Sequence, residues 1–146
     1  MDKKNIEDIE DIAEGKTLNI DFEKRGGLIP AVVQDIRDGL ILMLAYVNRE
    51  ALDETLESGM ATFWSTSRNE LWTKGKTSGD FLKIKKIFVD CDQDALVYVV
   101  EPQGKGACHT KDPESGDARL SCFYRLVDME SKKRLVHIKD IDKSGS

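Results

Sequence analysis

Apolar positions along the chain change period several times, and each change marks an expected element. Ile6, Ile9, Ile12 and Ala13 fall at helical spacing and Gly15 stops the run, which predicts a short amphipathic helix over residues 5–14. Two apolar runs, residues 28–34 and 40–47, bracket the turn-rich Asp35-Ile36-Arg37-Asp38-Gly39 and predict a hairpin. Pro30 lacks an amide proton for a ladder, so the first of these strands is expected at an edge. Asn48 can cap a helix over residues 50–57, in which Leu52 and Leu56 fall one turn apart and Gly59 can take the left-handed C-terminal position.

Residues 61–65 and 71–73 then read as short strands, followed by a polar loop over 74–80. Strand character returns at 81–91 and 95–101, with Asp92-Gln93-Asp94 as the turn between them. Residues 103–117 form a long irregular loop, and long loops in compact domains are often functional. Residues 121–127 and 134–138 are the last strand candidates, and 139–146 is a solvated tail. Hairpins outnumber helices and no strand–helix–strand rhythm appears. The expectation is one α+β domain over residues 1–146, predominantly antiparallel with a few short helices.

A chain of 146 residues buries about two thirds of its unfolded surface, so it needs no disulfide or structural metal merely to fold. With 22 Lys and Arg against 27 Asp and Glu, the net charge of -5 argues against a nucleic-acid surface as its main business. No apolar stretch approaches the roughly 20 residues that cross a bilayer. Met1-Asp2-Lys3-Lys4-Asn5 leads into acidic residues with no apolar signal core, so a cytoplasmic location is expected. Three cysteines are an odd number for a disulfide framework, which leaves metal binding, reactivity or plain burial.

Those cysteines sit in polar, turn-rich settings: Asp90-Cys91-Asp92-Gln93-Asp94, Gly106-Ala107-Cys108-His109-Thr110 and Leu120-Ser121-Cys122-Phe123-Tyr124. Three thiolates and one open position describe a catalytic zinc site, although the spacing contains no Cys-x-x-Cys knuckle. On a continuous strand Asp90 and Asp92 would share a face while Cys91 joined Ile87 and Val89 on the other. With Asp94 returning from the turn, three carboxylates would repel unless a cation sat among them, and oxygen ligands suit magnesium or calcium better than zinc. The competing reading is a solvated acidic turn. His109, beside Cys108, is the candidate for proton transfer, against an ordinary exposed loop histidine. For His137 an edge or surface role is favoured.

The stretch from Phe63 to Gly79 is the densest in polar chemistry. Arg68, Lys74 and Lys76 with hydroxyls and two glycines are what a phosphate-bearing ligand requires, without matching the P-loop pattern. Trp64 and Trp72 could stack on a base, though flanking tryptophans more often pack a core.

Taken together, Trp64-Ser65-Thr66-Ser67-Arg68, Leu71-Trp72-Thr73-Lys74-Gly75-Lys76-Thr77-Ser78-Gly79, Asp90-Cys91-Asp92-Gln93-Asp94, Ala107-Cys108-His109-Thr110 and Ser121-Cys122-Phe123-Tyr124-Arg125 resemble the phosphoribosyl-AMP cyclohydrolase family of histidine biosynthesis. Thr66 stands where an arginine is expected in many members. The resemblance implies an intertwined homodimer, with one zinc per subunit held by Cys91 of one chain and Cys108 and Cys122 of the other. It implies one magnesium per subunit on Asp90, Asp92 and Asp94. Trp64, Ser65, Ser67, Arg68 and Trp72, with Lys74, Lys76, Thr77 and Ser78, would then bind phosphoribosyl-AMP. His109 would move a proton while a zinc-activated water opens the adenine ring between N1 and C6. Two other readings remain at this point. A zinc nucleotide aminohydrolase would release ammonia, and a zinc-stabilised binding module would unfold on loss of Cys108.

Overall fold

The computed structural model describes residues 12–141. Of the helix expected over residues 5–14, residues 12–14 are helical and the remainder lies outside the described residues, as do residues 142–146 of the expected tail. The main sheet has four strands: β1 (Ile29–Asp35), β2 (Ile41–Val47), β5 (Leu82–Val89) and β6 (Leu96–Pro102), in the order β2-β1-β6-β5. Between them in the chain come the helix α1 (Arg49–Ser58) and the two-stranded sheet of β3 (Thr62–Ser65) and β4 (Glu70–Thr73). A last hairpin joins β7 (Arg125–Val127) to β8 (Leu135–His137).

The expected hairpins form. β1 pairs antiparallel with β2, β3 with β4, β5 with β6 and β7 with β8. The sheet is nevertheless mixed, because β1 and β6 run parallel from Ala31 opposite Leu96 to Asp35 opposite Val100. Local pattern reading finds hairpins between neighbours in sequence and misses a parallel pair separated by five other elements. The expectation of an edge at Pro30 is corrected by the same pairing, since β1 lies inside the sheet. Its ladder with β6 begins one residue later, at Ala31, so the proline stands outside that ladder.

Alternation explains the core. Ile29, Ala31 and Val33 of β1 are buried in every second position and face Leu42, Val47, Leu96, Tyr98 and Val100. Asn48 caps α1 as expected, its side-chain oxygen accepting from the Ala51 amide at 2.8 Å, and Gly59 ends the helix with φ 76°. The buried face is Ala51, Leu52 and Thr55, whereas Leu56 is exposed, against its expected inward role. Phe63 and Trp72 are cross-strand partners with ring centroids 5.0 Å apart, so Trp72 is half-buried against the core while Trp64 sits on the opposite face of its strand. Among the described residues, no helix is long and apolar enough to cross a membrane.

Candidate active site

Three segments carry the candidate chemistry: the loop after β4, the turn after β5, and the irregular stretch between β6 and β7. The loop after β4 begins where the Lys74 amide donates to Ala61 O at 3.1 Å. Gly75 adopts φ 99° directly against the backbone of Phe81, a close approach that leaves no room for a Cβ. A cleft of about 310 Å³ opens here, lined by Arg68, Trp72, Lys74, Lys76, Thr77 and Ser78 together with Glu70. Six of the nine side chains expected to contact substrate thus share one cleft. Trp64, Ser65 and Ser67 do not line it. Ser65 is buried and accepts from the Arg68 amide at 3.2 Å, with Ser67 Oγ 3.3 Å away, so the two serines shape the turn that presents Arg68. Arg68 carries an exposed ion pair with Glu70 at 3.5 Å, an acidic neighbour that reading for cations alone missed.

The turn after β5 holds the carboxylates. The strand ends at Val89, so the expected alternation of Asp90, Cys91 and Asp92 across two strand faces is corrected: Cys91 and Asp92 lie in the turn itself. One ligand atom from each of Asp90, Asp92 and Asp94 lies within 4.8 Å of the others. Asp90 Oδ1 accepts from the amides of Asp94 at 2.9 Å and Ala95 at 3.2 Å. Desolvation works against the ionised form of Asp90, but those amides outweigh it and hold its pKa below the ordinary value. Asp94 is pushed the other way, first by its contact with the Asp90 carboxyl, with the Asp92 charge adding to it and Arg25 opposing at 2.9 Å. A carboxylate trio of which one member resists ionisation fits a hard divalent cation.

The turn is not a free tip. Gln93, at φ 52°, is buried, and its side chain accepts from the Asn19 amide at 2.7 Å while donating to Ile12 O at 3.0 Å and Thr17 O at 3.4 Å. The segment before β1 therefore straps the acidic hairpin down.

The irregular stretch folds back on itself. Ala107 and Cys108 donate their amides to Leu120 O and Arg119 O at 3.1 and 3.0 Å, and Gly106 passes so close to the carbonyls of Ala118 and Arg119 that only glycine fits. Ser121 Oγ donates to Ile41 O at 2.6 Å and the Cys122 amide to Leu42 O at 2.7 Å, which fixes this stretch to β2. Cys108 and Cys122 are thereby brought near enough for each sulfur to shift the titration of the other.

The two sulfurs titrate in opposite directions. Burial would raise Cys108, but bonds from the Thr110 hydroxyl and amide, the Cys122 contact and the Arg119 charge lower it. Cys122 is exposed as a residue, yet desolvation of its sulfur, followed by the charge and hydrogen bond of Cys108, pushes it up to about 11, with Lys74 opposing. Two neighbouring thiols, one of them held below its ordinary pKa, are a donor set that suits a soft cation such as zinc. Cys91 is exposed, and among the described residues the acidic trio is the group of three or more potential ligands brought within 4.8 Å.

His109 is exposed next to buried Cys108 and, among the described residues, makes no hydrogen bond or ion pair. His137 is less peripheral than expected: half-buried, it packs its ring 5.6 Å from that of Tyr124. Sequence reading missed Thr110 and Arg119, although Thr110 lies within, and Arg119 directly before, a segment that carries a cysteine.

A family model described as phosphoribosyl-AMP cyclohydrolase matches residues 43–124. A phosphoribosyl-AMP cyclohydrolase of Cenarchaeum symbiosum is 56% identical over 114 residues, covering 78% of this chain and 98% of the relative. One from Desulfatibacillum aliphaticivorans is 52% identical over 111 residues, covering 76% and 83%. The histidine biosynthesis bifunctional protein HisIE of Gloeobacter violaceus is 55% identical over 101 residues, which is 69% of this chain and 43% of that longer protein.

Proposed function

The chain belongs to the phosphoribosyl-AMP cyclohydrolase family, and from that premise we propose how its residues carry out the hydrolytic opening of the adenine ring of phosphoribosyl-AMP in histidine biosynthesis. The observation that carries the reading is the cleft that gathers Arg68, Trp72, Lys74, Lys76, Thr77 and Ser78 inside the matched span, which also contains Cys108 and Cys122.

Ribosylation at N1 gives the ring cationic character and makes C6 electrophilic. Water adds at C6, its proton passes to N1, and the C6–N1 bond breaks, leaving a carboxamide at C6 and a formimino group on the former ring nitrogen. No ammonia leaves. Arg68, Lys74 and Lys76 bind the substrate phosphates through charge-assisted hydrogen bonds with Thr77 and Ser78. Trp72 lines the same cleft and offers a ring face to the base. His109, which makes no hydrogen bond or ion pair among the described residues, moves a proton between the attacking water and N1.

Cys108 and Cys122 would hold zinc with Cys91 of a second copy, a sharing supported by the separation of Cys91 from the sulfur pair within one chain. Zinc bound there supplies Lewis-acid polarisation. Asp90, Asp92 and Asp94 would hold magnesium, which relieves their mutual repulsion and fixes the turn bearing Cys91. The functional unit in this reading is a homodimer with one zinc and one magnesium per subunit.

The test is to add phosphoribosyl-AMP to metal-loaded protein and follow the ultraviolet spectrum and free ammonia together. Ring opening without ammonia is expected. Ammonia in step with the spectral change would instead mean an aminohydrolase.

A further inference from the structure

We infer that Thr110 and Arg119 are positioning residues for Cys108, and that the C-terminal hairpin β7–β8 braces them. This rests on the zinc reading above. Thr110 Oγ1 lies 2.9 Å from Cys108 Sγ, and the Thr110 amide donates to the same sulfur at 3.4 Å. Arg119 Nη1 donates to Thr110 Oγ1 at 3.0 Å, and a thiolate that holds zinc can only accept, so in that reading the Thr110 hydroxyl gives its proton to the sulfur. The sulfur therefore meets two donors on one side, which sets the direction in which its remaining lone pairs face.

The relay is rigid because the same residues are also joined through their backbones. Cys108 donates its amide to Arg119 O at 3.0 Å, and Arg119 returns its own amide to Thr110 O at 3.0 Å. The guanidinium then stacks 4.1 Å from the centre of the Tyr124 ring. Tyr124 is held in turn by His137, ring to ring at 5.6 Å, and by the Ile138 amide, which donates to Tyr124 O at 3.0 Å. Residues 125–138 lie past the span that the family model matches, so a segment outside that span supports a ligand within it. Half-buried Arg119 has a second consequence, because its positive charge sits behind the sulfur and offsets part of the negative charge that thiolates bring to the site.

The experiment measures the zinc affinity of the full chain by competition with a chromophoric chelator, and the thiolate-to-cobalt charge-transfer band after cobalt substitution. Thr110→Val is expected to weaken zinc binding by about 10-fold or more and to change the band, while Thr110→Ser, which restores the hydroxyl, stays within about 3-fold of wild type. Arg119→Met falls between them, and His137→Ala gives a smaller loss of the same sign. Should Thr110→Val not fold, Arg119→Met against Thr110→Ser makes the same comparison. Wild-type affinity and an unchanged band in Thr110→Val and Arg119→Met, with native circular dichroism, would overturn the inference. Wild-type affinity in His137→Ala alone would remove the brace. Cys108→Ser separates the two levels: if it loses zinc while Thr110→Val and Arg119→Met do not, the positioning role alone fails. If Cys108→Ser keeps zinc, the zinc reading falls and the inference with it.

Discussion

Asp90, Asp92 and Asp94 stand at alternate positions of one hairpin turn, whereas Cys108 and Cys122 come from separate stretches that meet only because the chain doubles back and is fastened to β2. The carboxylates are brought together by local geometry and resist it, since each charge penalises the next. The thiols are brought together by long-range hydrogen bonds, and their titration is pushed apart, Cys108 down and Cys122 up. The acidic turn accordingly needs an external strap, which Gln93 provides by docking on the chain before β1, and a counter-charge, which Arg25 provides. The sulfur pair needs donors and finds them within its own loop, in Thr110 and Arg119. A turn that concentrates charge is thus held by an outside strap and counter-charge, whereas the sulfur pair takes its donors from its own loop, which is itself fastened to β2.

The sharpest way to break this comparison is to ask whether the two regions serve one site or two. If Cys91, on the acidic turn, completes the sulfur site of another subunit, Cys91→Ser and Cys108→Ser homodimers should each retain less than about 1% of wild-type turnover. Refolded together in equal amounts, they should recover about a quarter of wild-type turnover, because half the dimers are mixed and each mixed dimer has one intact site. No recovery on mixing, with dimers confirmed by light scattering, would place all three ligands within one chain.

His109 comes next in expected size. His109→Ala should keep zinc, measured by metal analysis, and keep its melting temperature, because the imidazole has no partner to lose among the described residues. Turnover should fall by about 10²-fold. Near-normal turnover would move proton transfer to another group.

How far each region was legible in the sequence follows from the same contrast. The D-x-D-x-D turn and the hairpin around it are written in consecutive residues, so they could be anticipated, although the strand stops short of Asp90 and the alternation argument for Cys91 failed with it. The Asn48 cap and Gly59 stop are equally local and form as expected. The convergence of Cys108 and Cys122 depends on backbone bonds to Leu120, Arg119 and Leu42, which no spacing rule contains. It was visible only through resemblance to a family. Thr110 and Arg119 went unnoticed because a threonine and an arginine in a polar loop carry no signal until their distances to sulfur are known. The parallel pairing of β1 with β6, and hence the interior position of Pro30, was hidden for the same long-range reason.

The smallest expected effect probes the charge penalty itself. Asp92 adds to the forces that raise the Asp94 pKa, behind the larger effects of the Asp90 contact and desolvation. A carboxyl whose folded pKa is raised contributes stability at low pH that is lost as pH rises through that folded value. The metal-free protein should therefore lose stability on this account as pH climbs out of the carboxylate range. Asp92→Asn removes one repelling charge and leaves the Arg25–Asp94 ion pair in place. Metal-free Asp92→Asn should melt about 1 to 3 °C above wild type at pH 7, and the difference should narrow as pH falls and the raised Asp94 carboxyl takes up its proton. Added magnesium should reverse the order, because the variant has lost a ligand and its affinity should fall by about 10-fold. Calorimetry across pH, with and without magnesium, reads both effects. A metal-free variant that melts below wild type at pH 7 would show that the Asp92 charge does not work against the turn.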